Sequence, residues 1–224
     1  MDMKALLLGS IGVVAETSDL QRESFNEAFT AAGLDWHWDK ATYRDLLKRS
    51  GGAQRIEQEA LARGVRVNAA AIHAEKSQRF LQKIADHPLE PREGVREALD
   101  WARTQPEPVK TAFVSATLPQ TVAAILQSTG LTAAFDCVLT SADMKRPAPK
   151  PAPHIYDVAL SRLFVEAGAA IAVEDNPDGL RAAQAAGIAC IAVPGALHDH
   201  SEFDGALVIQ DHLDIHQALT LLAA

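Results

Sequence analysis

Five short aliphatic or β-branched runs punctuate the chain: Ala5–Leu8, Val109–Val114, Cys137–Leu139, Ala170–Val173 and Ala189–Val193. Each is too short for a helix and is bounded by turn residues, so each reads as a strand. Between them the apolar positions recur at helical spacing over Glu93–Thr104, Leu118–Ser128, His154–Phe164 and Pro177–Ala186. Strands alternating with helices of this length predict βαβ units, a parallel sheet and right-handed crossovers.

The interval from Ser18 to Pro91 has a different rhythm. It offers no strand pattern, and Leu20–Ala32, Lys40–Arg49, Ala53–Arg63 and Ala69–Asp86 are amphipathic helical stretches separated by Gly33, Gly51-Gly52 and Gly64. The expectation is an α/β core over 1–17 and 92–224 with an all-helical insert over 18–91. Two linkers would join the parts, near 14–18 and 87–92, an arrangement suited to a hinged lid.

Composition narrows the function classes. With Lys+Arg 21 against Asp+Glu 29 the formal charge is −8, which argues against nucleic acid, whose phosphates call for clustered Lys and Arg. No apolar run approaches the ~20 residues that span a bilayer, and the start MDMKALLLGS lacks the pattern of a signal peptide. Cys137 and Cys190 sit in apolar strands and read as reduced core residues of a cytoplasmic protein, not a disulfide or zinc pair.

In parallel sheets of this kind ligands bind beyond the carboxyl ends of the strands, so the residues that follow each strand carry the chemistry. They are Gly9-Ser10-Ile11-Gly12-Val13, Ser115-Ala116-Thr117, the Pro-rich stretch Lys145 to Pro153 that contains Lys150, and Glu174-Asp175-Asn176-Pro177. Ser115 precedes a helix and is read either as its cap or as a phosphate contact. Lys150, between prolines at the expected rim, suits a phosphate clamp. Asn176-Pro177 has the character of a helix N-cap and first turn. Two adjacent carboxylates at a strand end, Glu174 and Asp175, point to a hard cation such as Mg²⁺. Together these parts belong to phosphoryl transfer, yet no nucleophile stands among them.

Here the sequence resembles the haloacid dehalogenase superfamily of phosphohydrolases, and within it the CbbY-type branch, near the β-phosphoglucomutase-like and phosphoglycolate phosphatase-like members. The segment Ala172 to Ile188, with Glu174-Asp175-Asn176 and Ala182-Ala183-Gln184-Ala185-Ala186-Gly187, is similar to the family's fourth motif. Lys150-Pro151-Ala152-Pro153-His154-Ile155-Tyr156 matches K-P-x-P-x-x-Y. Gly33 to Lys40 through Gly51-Gly52, and the tail Glu202 to Ala206, resemble this branch as well. The resemblance implies a Rossmann-like core with a helical cap, small phosphorylated metabolites as substrates, and Mg²⁺ held by two first-motif aspartates and a fourth-motif acid. It places Ser115, Ala116 and Lys150 at the phosphate, Glu174 and Asp175 at the metal, and Glu16, Gly51, Gly52 and Arg55 at the cap side.

The first motif departs from that pattern. Where the family has D-x-D-G-T, this chain has Gly9-Ser10-Ile11-Gly12-Val13, with the flanks aligned without a gap. The resemblance makes the first aspartate the nucleophile and the second the general acid/base; Gly9 and Ile11 can do neither, and Val13 lacks the threonine hydroxyl. The cap lysine of the family's G-G-K-E-R is Ala53. Ser10 is expected to point away from the site by strand alternation, with no base beside it. Losing a nucleophile and acid that act as a unit lowers the rate by many orders of magnitude, and Mg²⁺ is expected to bind weakly or not at all. Glu174 and Asp175 are expected to lie together, paired with Lys150. Two readings stay open: a non-catalytic binder of a phosphorylated small molecule or of a phosphate or sulfate anion, and an active sugar-phosphate phosphatase or phosphomutase with a displaced nucleophile. His212 and His216 are expected on one helix face without a third ligand, and His198 and His200 at the surface. Trp36, Trp38 and Trp101 are read as packing.

Overall fold

The computed structural model describes residues 3–48, 51–144 and 148–223; Arg49, which closes the helix expected over Lys40–Arg49, and Lys145-Arg146-Pro147 of the Pro-rich stretch lie outside them. The sheet has six strands, all parallel, in the order β3-β2-β1-β4-β5-β6: β1 (Ala5–Leu8), β2 (Lys110–Val114), β3 (Cys137–Leu139), β4 (Ala170–Glu174), β5 (Ala189–Ala192) and β6 (Val208–Ile209). The sequence pattern predicts five; β6 is a two-residue edge strand, too short to show a period. The chain winds one way from β1 to β3 and the other from β4 to β6. The topological switch point therefore lies between β1 and β4, where Leu8 is paired with Val173.

Alternation along the strands builds two apolar layers. Leu6, Leu8, Phe113, Ile171, Val173 and Ile191 face one layer, covered by α6 (Val95–Thr104), α7 (Pro119–Ser128) and α10 (Ile215–Ala223). Ala5, Leu7, Ala112, Val114, Ala170, Ala172 and Cys190 face the other, covered by α8 (His154–Leu163) and α9 (Pro177–Ala185). Cys137 and Cys190 are free thiols, as expected, and Cys190 is buried. Among the described residues no helix is long and apolar enough to cross a membrane.

A one-turn helix, α1 (Ile11–Val14), follows β1 directly; four helices then run from residue 18 to 86: α2 (Ser18–Ala31), α3 (Lys40–Leu47), α4 (Gly52–Ala62) and α5 (Ala69–Asp86). They hold their own core, in which Phe25, Phe29, Trp36, Trp38 and Tyr43 interlock as tilted and edge-on rings. The tryptophans there are packing residues, as their sequence context implies. The insert is also tied down: Phe80 and Ile84 of α5 belong to the α/β core, and Arg44 of α3 pairs with Asp199 after β5. At the linkers the Arg92 amide donates to the Val14 carbonyl at 2.8 Å.

Candidate active site

Because all six strands are parallel, the residues after β1, β2 and β4 gather on one rim. Two of the turns there are built by local capping. Ser10 caps α1 by accepting from the Val13 amide at 3.3 Å. Asn176 caps α9, accepting from the Gly179 amide at 2.9 Å, with Pro177 in the first turn. Ser115 caps no helix, since α7 starts at Pro119. Its hydroxyl accepts from the Thr117 amide at 3.2 Å and steadies the turn after β2, beside the half-buried Ala116.

The two expected metal ligands part company. Glu174 closes β4 and shares the parity of Ala170 and Ala172, so it points toward α8 and α9; Asp175 points the other way, over α1. Only Glu174 pairs with Lys150, contrary to the expectation for both. Glu174 is fully buried, and its Oε1 accepts from the Lys150 ammonium and from the Tyr156 hydroxyl at 2.5 Å. Its Oε2 has no hydrogen-bond partner among the described residues. Burial pushes the Glu174 carboxyl up, against the lowering pull of Lys150. Tyr156 is likewise raised by burial and by the Glu174 charge.

Lys150 is not the exposed rim lysine its loop suggests. It is buried, and its ammonium donates to the Gly9 carbonyl, the Val114 carbonyl at 3.3 Å and Glu174. An ammonium has three N–H groups, and all three are engaged. Gly9, in the place of the missing nucleophile, contributes only its backbone. A Cβ there would collide with Glu174 Oε1 and the Tyr156 hydroxyl. Ile11 and Val13 are buried in the apolar core, so two positions that carry polar groups in the resembled family are packing residues here.

Asp175 Oδ1 accepts from the Ser10 hydroxyl at 2.5 Å and the Asn176 amide nitrogen at 2.8 Å. This corrects the expectation that no base adjoins Ser10. The strand ends at Leu8, so alternation does not govern Ser10; the turn into α1 swings its side chain onto Asp175. Glu16 bridges the first linker and the loop after β5, accepting from the Ser18 and Ala196 amides, both at 2.8 Å. Partial burial pushes its carboxyl up, but these bonds and Arg92 outweigh it and the net direction is down. Arg92, absent from the sequence reading, donates to the Gly12, Val193 and Pro194 carbonyls at 3.0, 2.8 and 2.9 Å.

Across from this rim lies the underside of the helical insert. Gly51 has a φ of 106°, and Gly51-Gly52 open α4. Gly52 lies so close to the His73 ring that a Cβ would strike it. Arg55 donates to the Leu46 carbonyl at 2.9 Å and feels the charge of Asp178 at the start of α9, which places it at the junction of insert and core. Beside it are two cationic or basic groups that the sequence reading missed. Lys76 is 5% exposed, bonds Gln21 at 2.8 Å and lies over the Phe25 and Phe80 rings. Among the described residues no carboxylate pairs with it. Burial, aided by Arg55, pulls Lys76 down to about 7, and His73 is pulled to about 4 by burial, Lys76 and Arg55. The signal for Lys76 was its position: it interrupts the buried stripe Ala69, Ile72, Phe80 and Ile84 of α5.

A divalent cation does not fit this rim. Mg²⁺ asks for octahedral oxygen ligands with at least one or two free carboxylates. Here one carboxylate shares its Oε1 with an ammonium and keeps only Oε2, the other is held over α1 by Ser10 and Asn176, and positions 9 and 11 offer no side-chain oxygen. Among the described residues no group of three His, Cys, Asp or Glu side chains could hold a metal. The histidines do not change this. His212 precedes α10 while His216 lies on it, so they do not share a helix face. The His198 ring is buried rather than at the surface, bonded to Glu202 at 2.9 Å.

A doubly wound parallel sheet with a helical insert after its first strand, and polar groups gathered at the switch point, is a Rossmann-like α/β fold with its candidate site where such folds bind ligands. The haloacid dehalogenase-like hydrolase family model matches residues 12–193, starting just after the altered positions 9 and 11. The chain is 37% identical to protein CbbY of Cereibacter sphaeroides (91% of this chain, 90% of that protein). It is 34% identical to the plasmid-borne protein CbbY of Cupriavidus necator (94% and 86%). Two crystal structures of CbbY from Rhodobacter sphaeroides, one of a variant with xylulose-(1,5)bisphosphate and one with phosphate, each superpose with a TM-score of 0.83 at 33% identity, covering 94% of both chains. The chain belongs to the haloacid dehalogenase-like hydrolase family, and within it is CbbY-like.

Proposed function

We propose that this chain is a CbbY-type phosphatase scaffold that has lost phosphoryl transfer and binds a phosphorylated small metabolite. The observation that carries binding is the cluster of Arg55, His73 and Lys76 where insert meets core. A buried ammonium without a carboxylate partner is costly, and an anion is the partner that would relieve it. Residues 18–91 then act as the cap and 1–17 with 92–224 as the core. Gly51 and Gly52 let α4 approach the ligand, and Glu16 fixes the hinge. Ser115 and the Ala116 amide supply the core-side contacts to a phosphate or sulfate anion, while Lys150, with its donors engaged, supplies none. Loss of chemistry rests on Gly9 and Ile11: neither can form a covalent phosphoryl adduct or move a proton. Two free cysteines and a −8 charge suit a cytoplasmic protein with no nucleic-acid partner.

The test uses xylulose 1,5-bisphosphate and inorganic phosphate as probes. Expected is a ligand-dependent rise in Tm that Lys76→Met removes, with no phosphate released in the presence of Mg²⁺. Release that Asp175→Ala abolishes would overturn the loss of catalysis. No shift with either probe would overturn binding.

One observation favours a second reading, an active phosphatase with a displaced nucleophile. The Ser10 hydroxyl points at Asp175, a carboxylate able to accept its proton. Phosphate release abolished by Ser10→Ala would establish that reading, and no release at all would dismiss it.

A further inference from the structure

We infer that the ends of β1 and β4 form a metal-free, self-neutralised site, in which the Lys150 ammonium stands where a cation is needed and Glu174, with Tyr156, fills the space vacated at position 9. The inference concerns the cation and the cleft floor, and it goes beyond the ligand reading above.

Three independent features support it. The first is space. A Cβ on Gly9 would meet Glu174 Oε1 and the Tyr156 hydroxyl, and a Cβ on Gly179 would meet both Glu174 oxygens. Two glycines thus make room for one carboxylate, and a larger residue at position 9 requires that carboxylate to move. The second is charge. Glu174 and Lys150 are both buried and sum to zero, and every N–H of Lys150 is used. Glu174 has one oxygen not already bonded among the described residues, Oε2, so a dication there would share its single carboxylate with a buried ammonium. Like charges in a poorly solvated site repel strongly. The third is direction. Asp175 is held over α1 by the bonds of Ser10 and Asn176 to its Oδ1, with Oδ2 against Gly12, so its carboxylate is aimed away from Glu174. Putting aspartate back at positions 9 and 11 would therefore leave the floor occupied.

Two measurements test this, and neither uses a phosphorylated ligand, so they fail or succeed separately from the proposed function. In an electron paramagnetic resonance titration with Mn²⁺ the free-ion signal is expected to persist at millimolar protein. A loss of signal that Asp175→Asn or Glu174→Gln restores would overturn the inference. The second compares Gly9→Ala in the native background and in Tyr156→Phe. Overpacking of this kind is expected to lower Tm by roughly 3–10 °C in the native background and by less once the hydroxyl is gone. A Gly9→Ala variant as stable as the parent would show that position 9 is open, and would overturn it; one that does not fold is the same effect at its extreme, leaving the Mn²⁺ result to decide.

Discussion

The rim of the sheet and the underside of the helical insert each bury a lysine, and the two lysines are in opposite situations. Lys150 has a carboxylate and two carbonyls for its three donors. Lys76 has one amide oxygen and two aromatic faces. The first has every donor answered by the protein; the second has no carboxylate partner among the described residues. Burial alone therefore does not mark a functional lysine. What distinguishes the two is whether the protein itself has supplied the counter-charge.

The largest effect is expected from the same substitution at both lysines. Lys150→Met leaves Glu174 buried without its cation and should cost about 3–5 kcal/mol, read by urea denaturation, with much of it recovered in Lys150→Met/Glu174→Gln. Lys76→Met removes a cation with no carboxylate partner, so stability should stay level or rise while the ligand-induced shift disappears. Should both variants lose stability equally, the contrast is wrong.

Next in size is the pH dependence. Lys76 titrates near 7 in the folded chain against an ordinary 10.5. The unfolded chain then holds the extra proton between those values, so stability contributed through this group rises as pH climbs from about 7 to 10.5. Native protein minus Lys76→Met, measured by denaturation across that window, should trend upward; a flat difference would place Lys76 in an ordinary solvated setting. A smaller effect is expected for Ser10→Ala, which removes one charge-assisted bond from Asp175 and should cost about 1.5–3 kcal/mol. Smallest is Arg44→Ala. The Arg44–Asp199 pair joins insert to core but both partners are exposed, so the loss should stay within about 1 kcal/mol. A larger loss would make this pair a latch.

Much of this was legible beforehand. Strands such as Ala5–Leu8 announce themselves as short unbroken apolar runs, because both faces are buried, and helices such as Ala69–Asp86 by period, because burial on one face forces it. The altered first motif was equally plain, since Gly9 and Ile11 are read directly from the chain. Tyr156 and Lys76 were not legible as site residues. Tyr156 reaches Glu174 only because α8, packed on β2 and β3 beside α9, brings it there, and Lys76 matters only because α5 turns it toward Arg55. Strand alternation mispredicts Ser10 because β1 ends at Leu8, two residues earlier, and the turn into α1 obeys a different geometry.

The division has a physical basis. Local pattern and residue identity determined the strand and helix succession, the parallel sheet, and the absence of an acid at positions 9 and 11, because these depend on single side chains and their near neighbours. Tertiary packing decided which charges meet. It split Glu174 from Asp175 across the sheet, gave Lys150 a full set of acceptors at the ends of three different strands, and left Lys76 without a carboxylate partner among the described residues. Charge pairing depends on distance in space, and residues 9, 150 and 174 become neighbours only when the sheet is assembled.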